Sequence, residues 1–206
     1  MLDNAKRREQ AQKREQHSDR GLNTFLDTYT TAEHKRVSEH WLALNKTKAT
    51  AHRAEHLVAH ATFCRGDNMR ALQLADMCSV DLADTWGPSP CTVVVLILRQ
   101  GKTNQHGRTL YSGIVRHKDP AVCPVGALGF LFFWRYHIDN HPFPDLRDLA
   151  NWDNLYLFYG RTSDSPMAYS THNKYIKAAM EACGITTKKV THVRRAAGAL
   201  MAEAGG

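Results

Sequence analysis

The amino-acid sequence predicts a mainly α-helical domain carrying a small antiparallel β-sheet, an α+β fold. Three observations predict it. Apolar residues recur at helical spacing through most of the chain, β-branched residues concentrate in the run TVVVLIL at residues 92–98, and a second extended run, RTLYSGIVR, follows after a polar break. With 206 residues, 43% of them hydrophobic, the chain can bury the core of one ordinary domain with a helical extension.

Taken in order, residues 1–20 alternate basic and acidic side chains with no face to bury, and read as a charged, solvated helix or a disordered tail. Residues 21–48 read as a helical extension: Leu22, Phe25, Leu26 and Tyr29 share one face, and Val37, Trp41 and Leu44 form a second stripe. Residues 49–206 form the main domain. Its first helix runs from about Ala49 to Cys64 and spaces His52, His56 and His60 at i, i+4 and i+8. A metal could use that spacing. No carboxylate or cysteine cluster accompanies it, so a solvated or phosphate-facing stripe is expected, and neither a metal nor an organic cofactor.

A second helix begins near Asp67, with Gly66 and Asp67 as turn and N-cap, and carries Met69, Leu72 and Leu74 to Met77. GPSP then turns the chain into residues 92–98, which read as a buried strand. QGKTNQHG breaks that strand, and RTLYSGIVR completes a hairpin with Lys102 on its long polar tip. Pro124 opens a core helix whose apolar stripe runs from Val125 through Leu128 and Phe132 to Tyr136, and Pro142 and Pro144 close it. NWDNLYLFYG reads as a short strand entering a loop, with Trp134 and Trp152 as core residues rather than base-stacking platforms. Ser170 or Thr171 caps a helix to about Cys183, with Gly184 at C′. Thr191 caps the last helix, where Ala196, Ala197, Gly198 and Ala199 permit close packing.

Several classes are excluded or disfavoured. The longest apolar run ends at Arg99 and is too short to span a bilayer, and the first residues hold no apolar stretch of a secretory signal. Five scattered cysteines, Cys64, Cys78, Cys91, Cys123 and Cys183, argue against a disulfide framework or a zinc knuckle and read as small buried residues. Lys and Arg total 27 against 20 acidic residues, a net charge of +7, so the natural partner is an anion.

The residues suited to bind one occur in a telling order: Arg65 before a helix, Lys102 on a hairpin tip, then His192 and Arg195 as H-x-x-R at a helix start. Guanidinium groups hold non-bridging phosphate oxygens bidentately, and Lys or His can handle a proton at a leaving oxygen. The i, i+3 spacing puts His192 and Arg195 on one face near the positive end of the helix dipole. Arg116, His117 and Lys118 form a further basic cluster suited to backbone phosphates, and Arg194 is a lone additional candidate for DNA contact.

These blocks resemble the catalytic domain of tyrosine recombinases, and more closely a fungal subgroup. That subgroup comprises the Crypton transposon recombinases and the recombinase-like domain of the kinetochore subunit that binds centromeric DNA. FCRGDNMRALQLADM is similar to the first-arginine motif, with Asn68 where bacterial members commonly carry an acid; RQGKTNQHGR to the lysine hairpin; RHKDPAVCPVGALGFLFFWRYH to the subgroup's most distinctive block; THVRRAAGALMAE to its H-x-x-R box. The resemblance implies a tyrosine recombinase-like fold and a catalytic set of Arg65, Lys102, His192 and Arg195. It further implies double-stranded DNA as partner, a nuclear location, no membrane, and a homo-oligomer in a full-length parent. One element is missing. The family's nucleophilic Tyr follows H-x-x-R, whereas all seven tyrosines here precede His192, including Tyr169 and Tyr175. The sequence therefore reads as truncated before the nucleophile, binding DNA without cleaving it. The alternatives are a fragment of an active recombinase serving DNA integration, and a helical protein-interaction module with no nucleic-acid role.

Overall fold

The computed structural model describes residues 27–82, 91–99 and 109–205. The expectations for residues 1–26, for Leu22, Phe25 and Leu26, for the GPSP turn and for Lys102 lie outside them.

Helix α1 (Thr31–Leu44) starts at a capping box in which the Thr30 hydroxyl accepts from the Glu33 amide while the Glu33 carboxylate accepts from the Thr30 amide, and it stops at Asn45 in the left-handed conformation. It buries Val37 and Trp41 but leaves Leu44 exposed, so the expected second stripe is one residue shorter. Helix α2 (Thr47–Ala61) is the central element, packed against α1, α4 and α6, with Ala54, Leu57, Val58 and Ala59 fully buried. Arg53, also buried, clamps it to the α4 approach. Its Nε donates to Ser38 Oγ (2.9 Å) and its Nη2 to the carbonyls of Pro120 (2.9 Å) and Ala121 (3.0 Å).

The helix expected through Met77 is shorter. Helix α3 (Gly66–Ala71) ends because residues 72–74 pair with 155–157: the Leu157 amide donates to the Leu72 carbonyl (2.9 Å) and the Leu74 amide to the Leu155 carbonyl (2.7 Å). After a 3₁₀ turn at Leu74–Asp76 the chain becomes strand β1 (Met77–Leu82), which the sequence reading missed. With β2 (Cys91–Leu98) and β3 (Leu110–Ile114) it forms an antiparallel sheet in the order β1-β2-β3, with Met77 opposite Leu96 and Val94 opposite Ile114. The β2–β3 pairing is the expected hairpin. The expectation of a buried strand holds only at Val93 and Leu96, since most of the sheet stands open to solvent.

Helix α4 (Pro124–Phe133) starts where Pro124 predicts and buries Ala127, Leu128 and Leu131. It is not core all round, because Phe130 and Phe133 are 53% and 52% exposed. A π turn at Trp134–Ile138 ends it, with the buried Arg135 donating to the Tyr156 carbonyl (2.9 Å) and stacking on Tyr159. The NWDNLYLFYG segment contributes buried Leu157 and Phe158, a 3₁₀ turn at Leu149–Asn151 and isolated bridges rather than a strand. Trp152 packs against the core.

Helix α5 (Tyr169–Ala182) is capped by Ala168, not by Ser170 or Thr171. Gly184 closes it at φ 71°, with the Ile185 amide donating to the Met180 carbonyl (2.8 Å), the expected C′ glycine. Helix α6 (Val193–Gly205) crosses α2 so closely that a Cβ on Gly198 would lie 2.5 Å from the His60 carbonyl oxygen. All five cysteines are free; only Cys64 and Cys123 are buried, and Cys78 is exposed. Among the described residues, no helix is long and apolar enough to cross a membrane.

Candidate nucleic-acid interface

Arg65 is the N-cap residue of α3, extended at φ −72° and ψ 152°. Its side chain is half-buried, and its Nη1 is out of solvent without a hydrogen-bond partner among the described residues. His192 and Arg195 stand exposed at the start of α6 and line one open groove of about 550 Å³ together with Lys189, Asp27 and the small residues Ala196 and Ala199. The His192 amide donates to the Lys189 carbonyl (2.8 Å), which ties the groove's lysine to the turn before α6. Partial burial and the charges of Arg65, Lys189 and Arg195 hold the His192 imidazole below its ordinary pKa; Asp67 opposes them. Arg65 and Arg195, 130 residues apart in sequence, thus both act electrostatically on His192. Lys189 belongs to the same field. Sequence reasoning passed over it, although Lys188 and Lys189 stand one residue before THVRR.

The other expected residues fall elsewhere. Lys102 belongs to the connection between β2 and β3, outside the described residues. Arg116, His117 and Lys118 are exposed after β3, and the first two line a different groove, of about 800 Å³, with His34, His60, Gly198 and Met201. Helix α6 separates the two grooves, giving His192, Arg195 and Ala199 to one and Gly198, Met201 and Ala202 to the other. Around the second groove Lys35 pairs with Asp119 (2.8 Å), and the Asp119 amide donates to His117 Nδ1 (3.0 Å).

Arg194 is corrected outright as a DNA-contact candidate. Its side chain is 0% exposed and forms an ion pair with the equally buried Glu55 of α2. One residue of rotation on a helix turns a side chain by about 100°, which carries Arg195 out and Arg194 in. Glu55 also accepts from the Tyr175 hydroxyl (2.8 Å) and meets His172 Nε2 at 3.1 Å. His172 Nδ1 faces Arg70 Nη1 of α3 (3.2 Å). Burial alone would raise the Glu55 carboxyl, but Arg194 and His172 outweigh it and hold the group well below the usual range.

The histidine stripe is likewise corrected. His52, His56 and His60 pack on rings of other elements rather than standing in solvent: His56 is fully buried, and His52 and His60 are half-buried. His52 stacks on Tyr175 at 3.6 Å between centroids, His56 meets His34 (Nε2 to Nδ1, 3.2 Å), and His60 Nδ1 is hydrogen-bonded with the Tyr29 hydroxyl (2.9 Å) while its ring stacks on His34. Among the described residues no group of His, Cys, Asp or Glu has the arrangement of a metal site. Of the two tyrosines nearest in sequence to H-x-x-R, Tyr175 is buried against Glu55, which together with desolvation pushes its hydroxyl well above its usual pKa. Tyr169 lies on the surface with the Arg70 guanidinium over its ring.

Solved structures that share this fold are recombinases bound to DNA. XerH site-specific recombinase on its difH substrate, before cleavage, matches with a TM-score of 0.59 at 10% identity, covering 87% of this chain and 44% of that one. Its post-cleavage complex with palindromic difH gives 0.59 at 13% identity, covering 87% and 42%. The FLP recombinase–Holliday junction complex gives 0.54 at 10% identity, covering 100% and 48%. The fold is therefore that of the tyrosine recombinases, and the chain spans less than half the length of each of those proteins. Within that class the particular relationship is to a centromere protein: residues 12–205 match domain 2 of the centromere DNA-binding protein complex CBF3 subunit, and the chain belongs to that family. No curated protein matches it.

Proposed function

We propose that this chain is a nuclear DNA-binding domain that grips the phosphate backbone of duplex DNA through Arg65, His192 and Arg195, with Lys189 beside them and Lys102 as a further phosphate contact. The observation that carries the reading is the groove at the start of α6. Lys189, Arg195 and His192 line it with Asp27, Arg65 is close enough for its charge to act on His192, and the Arg65 guanidinium keeps a buried N–H without an acceptor among the described residues. An anion supplying oxygens to that N–H satisfies a group that is costly to leave unpaired. Arg116 and Lys118 offer a second contact for a duplex that runs across α6.

The arrangement suits binding rather than covalent cleavage. Phosphate-holding cations stabilise developing charge but cannot replace an attacking hydroxyl, and Tyr169 and Tyr175 are occupied by Arg70 and Glu55. The test is fluorescence anisotropy on a duplex across a salt series. Arg65→Ala with Arg195→Ala should weaken binding to all sequences alike and flatten the slope of log K against log salt by about 1. A folded double variant that binds as the parent does would place the DNA surface elsewhere. A parent that binds no duplex would favour a helical protein-interaction module. A denaturant-stable adduct on a nicked suicide duplex would overturn the non-cleaving half of the proposal.

A further inference from the structure

The buried charges beneath the groove have a geometry that ordinary core packing does not require. Glu55, Arg194 and His172 are all essentially sealed from solvent, and together they join four helices: α2 through Glu55, α5 through His172 and Tyr175, α6 through Arg194, and α3 through Arg70. Arg194 Nη2 also lies 3.0 Å from His172 Nε2. Gly66, the residue after Arg65, abuts the same ring: a Cβ there would sit 2.8 Å from His172 Cε1. A buried ion pair is weak support for stability, because well-packed apolar residues do as well or better, so its directional bonds are better explained by the need to fix an orientation.

We infer that Glu55 and His172 are positioning residues for the phosphate groove: through Arg194 they fix the rotation of α6, and through Arg70 and Gly66 the seat of α3, so that Arg65 and Arg195 address one phosphate. This rests on the phosphate reading of the groove. Arg194 is the immediate neighbour of Arg195 and two residues from His192. Anchoring it to Glu55 sets the direction in which both exposed side chains leave the helix. His172 bridges the two halves of the site. Its Nε2 lies against both Arg194 and Glu55 and its Nδ1 against Arg70, so a shift in either arginine-bearing helix is felt by the other.

The experiment is a double-mutant cycle on the 206-residue chain with a 20-base-pair duplex, read by anisotropy over a salt series, with circular dichroism confirming a folded protein at the assay temperature. In the parent, Arg195→Ala should cost about tenfold in affinity. In Glu55→Gln, affinity should fall by a similar factor, the salt slope should drop by about 1, and adding Arg195→Ala should cost less than about threefold more. Arg194→Lys, which keeps the charge opposite Glu55 but loses the fork that also meets His172, should fall between parent and Glu55→Gln. If Glu55→Gln does not fold, His172→Asn supports the same cycle with the ion pair intact. A role in stability alone would lower the melting temperature yet leave the Arg195→Ala factor and the salt slope unchanged in the folded variant, and that result overturns the inference. If Arg195→Ala is silent in the parent, the phosphate reading fails and the inference falls with it.

Discussion

Lowering the pH from 7 to 5 should destabilise this domain steeply, through the histidines that α2 turns inward. Burial and the charge of Arg194 hold His60 at about 4, and burial, only partly offset by Glu55, holds His52 at about 4. Against an unfolded value of 6.5, both pKa values are depressed. Above 6.5 the folded and unfolded chains are alike neutral at these sites and nothing is lost. Below it the unfolded chain takes up protons that the folded chain refuses, so stability falls as pH drops from 6.5 toward 4. At pH 5 the loss is about 2 kcal/mol per histidine. His52 and His60 lie two turns apart, so their effects should nearly add, to about 4 kcal/mol out of a typical 5–15. His34, held at about 2 by burial and by His60, and the fully buried His56 extend the loss in the same direction. Glu55 acts in a separate window, its stabilisation being complete above 4.5 and lost only toward its folded value of about 2. Urea titrations from pH 7.5 to 5 should move the midpoint down by about 2 M at an unchanged m-value. His60→Gln should flatten part of that slope. A midpoint constant across the range, or a slope that His60→Gln leaves intact, would refute the reasoning.

Three further outcomes are expected. Because partial burial and neighbouring cations depress His192 and a bound phosphate would raise it, DNA affinity should increase as pH falls through the ordinary histidine range at fixed salt, within the folded range; His192→Gln should abolish that dependence in the same anisotropy assay. Gly198→Ala should cost about 1–3 kcal/mol in urea denaturation, since its Cβ would meet the His60 carbonyl and, at 2.8 Å, the Phe63 ring; an unchanged midpoint would mean that α6 and α2 are not in such close contact. Leu96→Ala, at the fully buried centre of β2, should cost about 2–5 kcal/mol, whereas Val80→Ala on the open face of β1 should stay within about 0.5.

What could be read from the sequence depended on whether the deciding physics was local. Pro124 and Gly184 mark helix ends because their backbone preferences act within one turn, and both fall where the sequence places them. The β-branched run at residues 92–98 found its strand for the same reason. Strand β1 was missed because Met69, Leu72 and Met77 suit a helix, and only the long-range pairing of residues 72–74 with 155–157 diverts the chain. In the candidate site, Arg65, His192 and Arg195 were legible as an ordered set of cations. Lys189 went unnoticed because a lysine pair before a helix looks like any solvated pair.

The harder ambiguity was rotational. His52, His56 and His60 at i, i+4 and i+8 define a stripe whichever way it faces, and composition favours solvent. What turns it inward is the set of aromatic partners on other elements, Tyr29 and Trp41 before α2 and Tyr175 after it. Arg194 and Arg195 pose the same question in its smallest form: identical side chains, adjacent in sequence, of which one must be buried if the other is to face the groove. The sequence holds the answer only jointly with Glu55, the single carboxylate of α2, 139 residues away along the chain. A lone acid on the buried face of a helix is expensive unless a cation meets it, and a cation that meets it is lost to DNA. The division of labour between the two arginines is therefore decided on α2, by the charge that makes one of them structural and leaves the other free to bind.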